Sequence, residues 1–127
     1  MDTASMHGLH ILLVEEEYLI AADMEQTLRA AGAEDVTIVG DIDTAATYDF
    51  SDVQLAVIEA KFGSANAVAL NDALRAAGVA VVVTSADHAV QALFTGATPL
   101  QKPFDSTALL AACEAARRRD PSLAEPA

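Results

Sequence analysis

Short apolar runs alternate along the chain with alanine-rich segments whose larger side chains recur at helical spacing. Leu9 to Val14 (LHILLV) is almost continuous in bulk, as expected of a strand covered on both faces. Tyr18 to Ala31 places Leu19, Ala22, Leu28 and Ala31 at helical spacing, and Gly32 follows where a helix-ending glycine belongs. Val36 to Gly40 (VTIVG) predicts a second strand, and Asp41 to Tyr48 a weak, short helix that Asp43 could cap. Gln54 to Glu59 is the third strand. Ser64 is placed to cap a helix running to Ala77, which Gly78 ends. Val79 to Thr84 (VAVVVT) is the β-branched fourth strand, followed by a modest helix over Ala86 to Phe94. Ala97 to Gln101 is a short fifth strand, and Asp105 or Ser106 caps a last helix reaching about Arg118.

Five strands alternating with five helices predict right-handed crossovers and a doubly wound parallel sheet with helices on both faces. Such sheets bind ligands beyond the carboxyl ends of their strands, so the chemistry is expected there. One domain spans residues 9–119, with tails at 1–8 and 120–127 and neither an internal repeat nor a second domain.

A formal charge of −12 argues against nucleic acid and anionic membrane surfaces as partners, because both require a positive face. No apolar run approaches the roughly 20 residues of a membrane span, and MDTASMHG lacks a basic signal region, so a cytoplasmic location is expected. Cys113 is the single cysteine, which leaves no disulfide framework, and its alanine neighbours point to helix packing. Arg117, Arg118 and Arg119 are three of the seven basic residues and suit the negative end of the last helix.

Four strand ends carry polar groups: Glu15-Glu16-Glu17, Glu59, Thr84-Ser85 and Lys102-Pro103. Converging on one rim, they would offer carboxylates, a hydroxyl and a lysine to a hard cation and an anionic oxygen group. The segments LLVEEE, VIEAKFG, VVVTS and LQKPF, in that order, resemble the receiver domain of two-component response regulators over roughly residues 9 to 119. The resemblance implies a CheY-like, flavodoxin-like fold. It also implies a Mg²⁺ site at Glu15, Glu16, Glu59 and the backbone carbonyl of Lys61. Glu59 would stand at the phosphoacceptor position, Thr84 at the switch hydroxyl and Lys102 at the pocket lysine, with Lys102–Pro103 a candidate cis peptide.

The departures bear on function. Glutamate replaces the aspartate that accepts the phosphoryl group in the family. One added methylene moves the carboxylate by roughly an ångström, and such misplacement can cost about 10²-fold in rate. Glutamates at Glu15 and Glu16 crowd the cation site, which puts Mg²⁺ in question. Two readings of Lys61 stand: with Lys102 it substitutes for the metal among three repelling carboxylates, or it points to water. Glu59 either brings a permanent negative charge near the phosphoryl position or is the ion-pair partner of Lys102 in a domain without a switch. Pro99 stands where receivers often carry an aromatic residue coupled to the hydroxyl. The stretch from Thr84 to Lys102 is about one helical turn shorter than in many of them, so the fourth helix should be short or irregular.

The expectation is therefore an atypical stand-alone pseudo-receiver, not an enzyme, working through protein–protein contact. Its partner would be a histidine kinase, a phosphotransfer protein or an effector, with a homodimer as a further option. The alternative is a phosphorylation-competent single-domain response regulator that takes a phosphoryl group from a histidine kinase with Mg²⁺. A Mg²⁺-dependent hydrolase would need an aspartate nucleophile after the first strand, and a flavodoxin would need a Ser/Thr-rich phosphate loop. Neither is present. His7, His10 and His88 lack a kinase-like context, and His10 falls inside the first strand.

Overall fold

A computed structural model describes residues 5–61 and 64–119. The chain runs β1 (His10–Val14), α1 (Tyr18–Ala30), β2 (Asp35–Val39), α2 (Ile42–Ala45), β3 (Leu55–Glu59), α3 (Ala65–Ala76), β4 (Ala80–Ser85), α4 (His88–Gln91), β5 (Thr98–Gln101) and α5 (Ser106–Arg118). The five strands form one sheet in the order β2-β1-β3-β4-β5, and every neighbouring pair is parallel. This is the doubly wound parallel sheet that the alternating pattern predicts, and it is flavodoxin-like as the receiver resemblance implies.

Alternation along the strands sorts the core into two layers. Ile11, Leu13, Leu55, Val57, Val82 and Leu100 pack with Met24, Leu28, Leu109 and Cys113 of α1 and α5. Leu12, Val14, Ala56, Ile58, Val81 and Val83 pack with Ala45, Ala67, Leu70, Leu74 and Phe94 on the opposite side. The central strands are therefore apolar at consecutive positions, which is why they read as unbroken runs. Pro99 lies exposed on β5, an edge strand, where its missing N–H breaks no ladder.

Caps fix the helix starts. Asp41, not Asp43, caps α2 by accepting from the Thr44 amide at 2.7 Å. Asp41 is extended (φ −155°), whereas Asp43 already lies in the first helical turn. Ser64 caps α3 and Asp105 caps α5, through the amides of Ala67 and Ala108. The fourth helix is indeed short, at four residues. The expected Ala86 to Phe94 span fails at both ends. Hydrogen bonds hold Ser85–Asp87 outside the helix, and the chain turns at Gly96 (φ +81°), whose Cα faces the Arg75 side chain. The carbonyl of Thr95 there accepts from Asn71 Nδ2 at 3.0 Å and Arg75 Nη1 at 3.4 Å.

Residues 5–8, assigned above to a tail, are tied to the domain. Met6 is fully buried, and the amides of Met6 and Gly8 donate to the carbonyls of Ala31 and Gly32. A single methionine between polar residues carries no periodic signal, so its burial was not legible. The segment from 120 onward, and Phe62 and Gly63 of the VIEAKFG motif, lie outside the described residues. Arg117 and Arg118 occupy the last turn of α5, and Arg119 donates to Thr98 Oγ1 at 3.3 Å. Cys113 is buried, and desolvation pushes its thiol up to about 12, so it is inert packing. Among the described residues, no helix is long and apolar enough to cross a membrane.

Candidate functional site at the strand ends

Strand parity explains which polar groups meet. Glu15 lies two residues beyond Leu13, Glu59 two beyond Val57, Thr84 two beyond Val82 and Lys102 two beyond Leu100. All four therefore continue the apolar rows that face α1 and α5. The ladder sets Glu59 directly opposite Thr84, and the Ala60 amide donates to the Thr84 carbonyl at 2.8 Å. Lys102 follows β5, where its amide donates to the Ser85 carbonyl at 3.0 Å. The Lys102–Pro103 peptide is cis.

At the centre, Lys102 Nζ lies 3.1 Å from Glu59 Oε2 and 3.7 Å from Glu15 Oε1. The first distance is a hydrogen-bonded ion pair; the second is electrostatic only. The Glu15 side chain is 1% exposed and that of Glu59 is 9% exposed, so two enclosed carboxylates share one ammonium. Glu15 Oε2 accepts from the Glu17 amide at 3.0 Å, while Oε1 has no hydrogen-bond partner. Burial, followed by the neighbouring Glu59 charge, outweighs that amide and Lys102, and Glu15 is raised above the ordinary carboxyl range.

Glu16 leaves this centre. As the next residue along the chain it projects elsewhere, and its carboxylate pairs with Lys61, both side chains being about half exposed. The Glu16 hydrogen bond raises Lys61 above its ordinary value. Lys61 is thus ion-paired to Glu16 while its side chain stays about half exposed. Among the described residues, no three carboxylate, histidine or cysteine groups gather closely enough to hold a metal ion. The Glu15–Glu16–Glu59 set drawn from the resemblance is accordingly divided between two lysines. Glu16, Asp41, Ile42, Glu59, Lys61 and Ser64 border a cleft of about 260 Å³ on one side of this arrangement. On the other, Glu59, Lys61, Ser85, Ala86, Asp87 and Lys102 border one of about 310 Å³.

Thr84 is fully buried and its hydroxyl has no hydrogen-bond partner. An unpaired buried hydroxyl costs roughly 1–3 kcal/mol. Thr84→Val, which keeps the shape and removes the polar atom, should therefore stabilise the protein by about 1 kcal/mol in urea unfolding. A loss of similar size would show that the hydroxyl has a partner in solution.

Sequence reasoning missed Gln91 and Gln101. Gln91 is buried and donates to the Ser85 carbonyl at 3.1 Å, and Gln101 donates to the Ala86 carbonyl at 2.8 Å. Both follow the strand-four exit in sequence, and nothing in their spacing marks them as its partners. His88 is exposed at the start of α4, and His10 is half-buried in β1.

No protein-family model matches the chain, and no curated protein matches it. Solved structures do. The signal receiver domain of an HD-domain-containing protein from Pseudomonas fluorescens superposes with a TM-score of 0.71 and 19% identity, covering 90% of this chain and 98% of that one. An orphan response regulator of H. pylori gives 0.69 and 22%, covering 88% and 99%. A variant of the anti-anti-sigma factor PhyR from Bartonella quintana gives 0.70 and 24%, covering 91% of this chain and 51% of that longer one. The fold is that of response-regulator receiver domains.

Proposed function

We propose that this chain is a pseudo-receiver: a two-component signalling module whose strand-end site is neutralised internally and which acts by protein–protein contact. The observation that carries this reading is the pairing of Lys102 with Glu59 at 3.1 Å, at the position where receivers present their acceptor aspartate. The glutamate is one methylene too long for the usual in-line geometry and is already engaged. Lys61, paired with Glu16 at the half-exposed edge of the site, supplies a second cation.

The donor set does not suit Mg²⁺. A divalent ion among Glu15, Glu16 and Glu59 would stand against the Lys102 ammonium, and Glu16 is turned toward Lys61. The lysines therefore take the charge-balancing role.

The partner is another signalling protein, of the kinase, phosphotransfer or effector class. Tyr18 and Leu19, on the first turn of α1, are 76% and 80% exposed and are the most exposed large apolar side chains among the described residues. They stand immediately after Glu15–Glu17, so a protein seated on this rim would cover them and read the site beside them. The acidic surface disfavours nucleic acid, and a cytoplasmic location fits such a module.

A second reading retains phosphotransfer from a histidine kinase and is favoured by Thr84, whose unpartnered hydroxyl stands opposite Glu59. Intact mass after incubation with acetyl phosphate and Mg²⁺ separates the two. The native protein is expected to remain unmodified, while Glu59→Asp acquires a phosphate adduct if the rest of the pocket is competent. An adduct on the native protein would overturn the pseudo-receiver reading in favour of the second.

A further inference from the structure

The exit from β4 is held from both sides by side chains that have no part in the charge cluster. The Ser85 carbonyl accepts from Gln91 Nε2 at 3.1 Å and from the Lys102 amide at 3.0 Å, which uses both of its lone pairs. The Ala86 carbonyl accepts from Gln101 Nε2 at 2.8 Å. The Asp87 amide donates to Ser85 Oγ at 3.0 Å, the Asp87 carboxylate caps Ala89 at 2.8 Å, and the Asp87 carbonyl accepts from the Gln91 amide at 3.1 Å. Each carbonyl from Ser85 to Asp87 is thus occupied. A strand-end loop could instead satisfy these groups with water, and it would then exchange among positions.

The held segment is also the wall of a cleft. Ser85, Ala86 and Asp87 border it opposite Glu59 and Lys61, and Lys102 belongs to both halves. Through its amide Lys102 holds Ser85, and through its ammonium it holds Glu59. Moving this wall would therefore break the Gln91 and Gln101 bonds and disturb the residue that holds Glu59.

We propose that Gln91 and Gln101 are positioning residues that clamp the Ser85–Asp87 wall in one place, so that the cleft beside Glu59 and Lys102 is presented to its protein partner as a preformed surface. The partner role rests on the pseudo-receiver reading; the clamp itself does not, and it is tested separately. The alternative is a wall that moves freely and takes its shape only when a partner binds.

Amide hydrogen exchange of the full chain, resolved by residue, provides the test. Gln101 is exposed and its backbone stays in β5, so Gln101→Glu should fold while replacing the donor by an acceptor. The Asp87 amide is expected to exchange about fivefold faster in Gln101→Glu and in Gln91→Leu, and about 25-fold faster in the pair, from about 1 kcal/mol per bond. Gln101→Lys, which retains a donor, should restore most of the protection. The amides of Val57 and Ile58 in the sheet should be unchanged. Unprotected exchange at Asp87 in the native protein would overturn the clamp, as would an increase spread evenly over the sheet. A phosphate adduct in the mass experiment would instead remove the pseudo-receiver reading and leave this result standing.

Discussion

Replacing Lys102 with methionine is expected to lower the unfolding free energy at neutral pH by about 3–5 kcal/mol, the range found when one partner of a buried ion pair is removed. Methionine keeps much of the apolar stem, so packing changes little and the loss reports the charge. Without the ammonium, Glu59 and Glu15, 9% and 1% exposed, face each other with no counter-charge. The variant should recover stability on acidification as the buried Glu15 carboxyl, already raised in the parent, takes up its proton. Urea unfolding at neutral and mildly acidic pH reads both quantities. Lys61→Met provides the contrast, since the Lys61–Glu16 pair is about half exposed and solvent screens it. Equal losses in the two variants would mean that Lys102 is solvated and the central ion pair is not the element that holds the site.

Much of the site was legible in the sequence, from the strand-end rule and the receiver resemblance, and strand parity accounts for it. Leu13, Val57, Val82 and Leu100 point into one layer, and counting two residues onward from each gives Glu15, Glu59, Thr84 and Lys102. The rule for parallel sheets put the strand-end groups on one rim and the receiver resemblance singled out these positions; period-two alternation explains why the four share a layer. They do not suffice for Glu16. Adjacent acids read alike in sequence, but consecutive residues leaving a strand diverge, so Glu15 is enclosed near Lys102 while Glu16 meets Lys61 outside. Gln91 and Gln101 were illegible for another reason. Their contacts depend on the path of the loop that they fix, and a side-chain amide aimed at a backbone carbonyl leaves no periodic trace. Asp43 was the expected cap of the second helix, but an aspartate two residues earlier offers the same chemistry, and the extended backbone at Asp41 makes that residue the cap.

Glu15 should give the protein a stability that falls as pH rises. Its folded-state value is raised, chiefly by burial, so the native state binds that proton more tightly than the unfolded chain does. The stabilisation is complete below the ordinary value of 4.5 and is lost as pH rises through the raised folded value. Asp41 and Asp49 act in the opposite sense. Backbone amides hold both below 3.8, so their contributions are present above that value and fail only in stronger acid. The two windows are separate, and the Glu15 effect can be isolated with Glu15→Gln. An amide oxygen can still accept from the Glu17 amide, while the surplus negative charge beside Glu59 is removed. At mildly acidic pH the variant and the parent should be close in stability, and the variant should become the more stable toward neutrality. Glu59→Gln should do the reverse, because it removes the one hydrogen-bonded counter-charge of Lys102 and leaves only the 3.7 Å approach to Glu15. Opposite signs from the same substitution at neighbouring carboxylates distinguish an internally balanced Glu59–Lys102 pair, with Glu15 in excess, from a site in which both carboxylates serve a shared ligand. Parallel destabilisation by both would refute that balance.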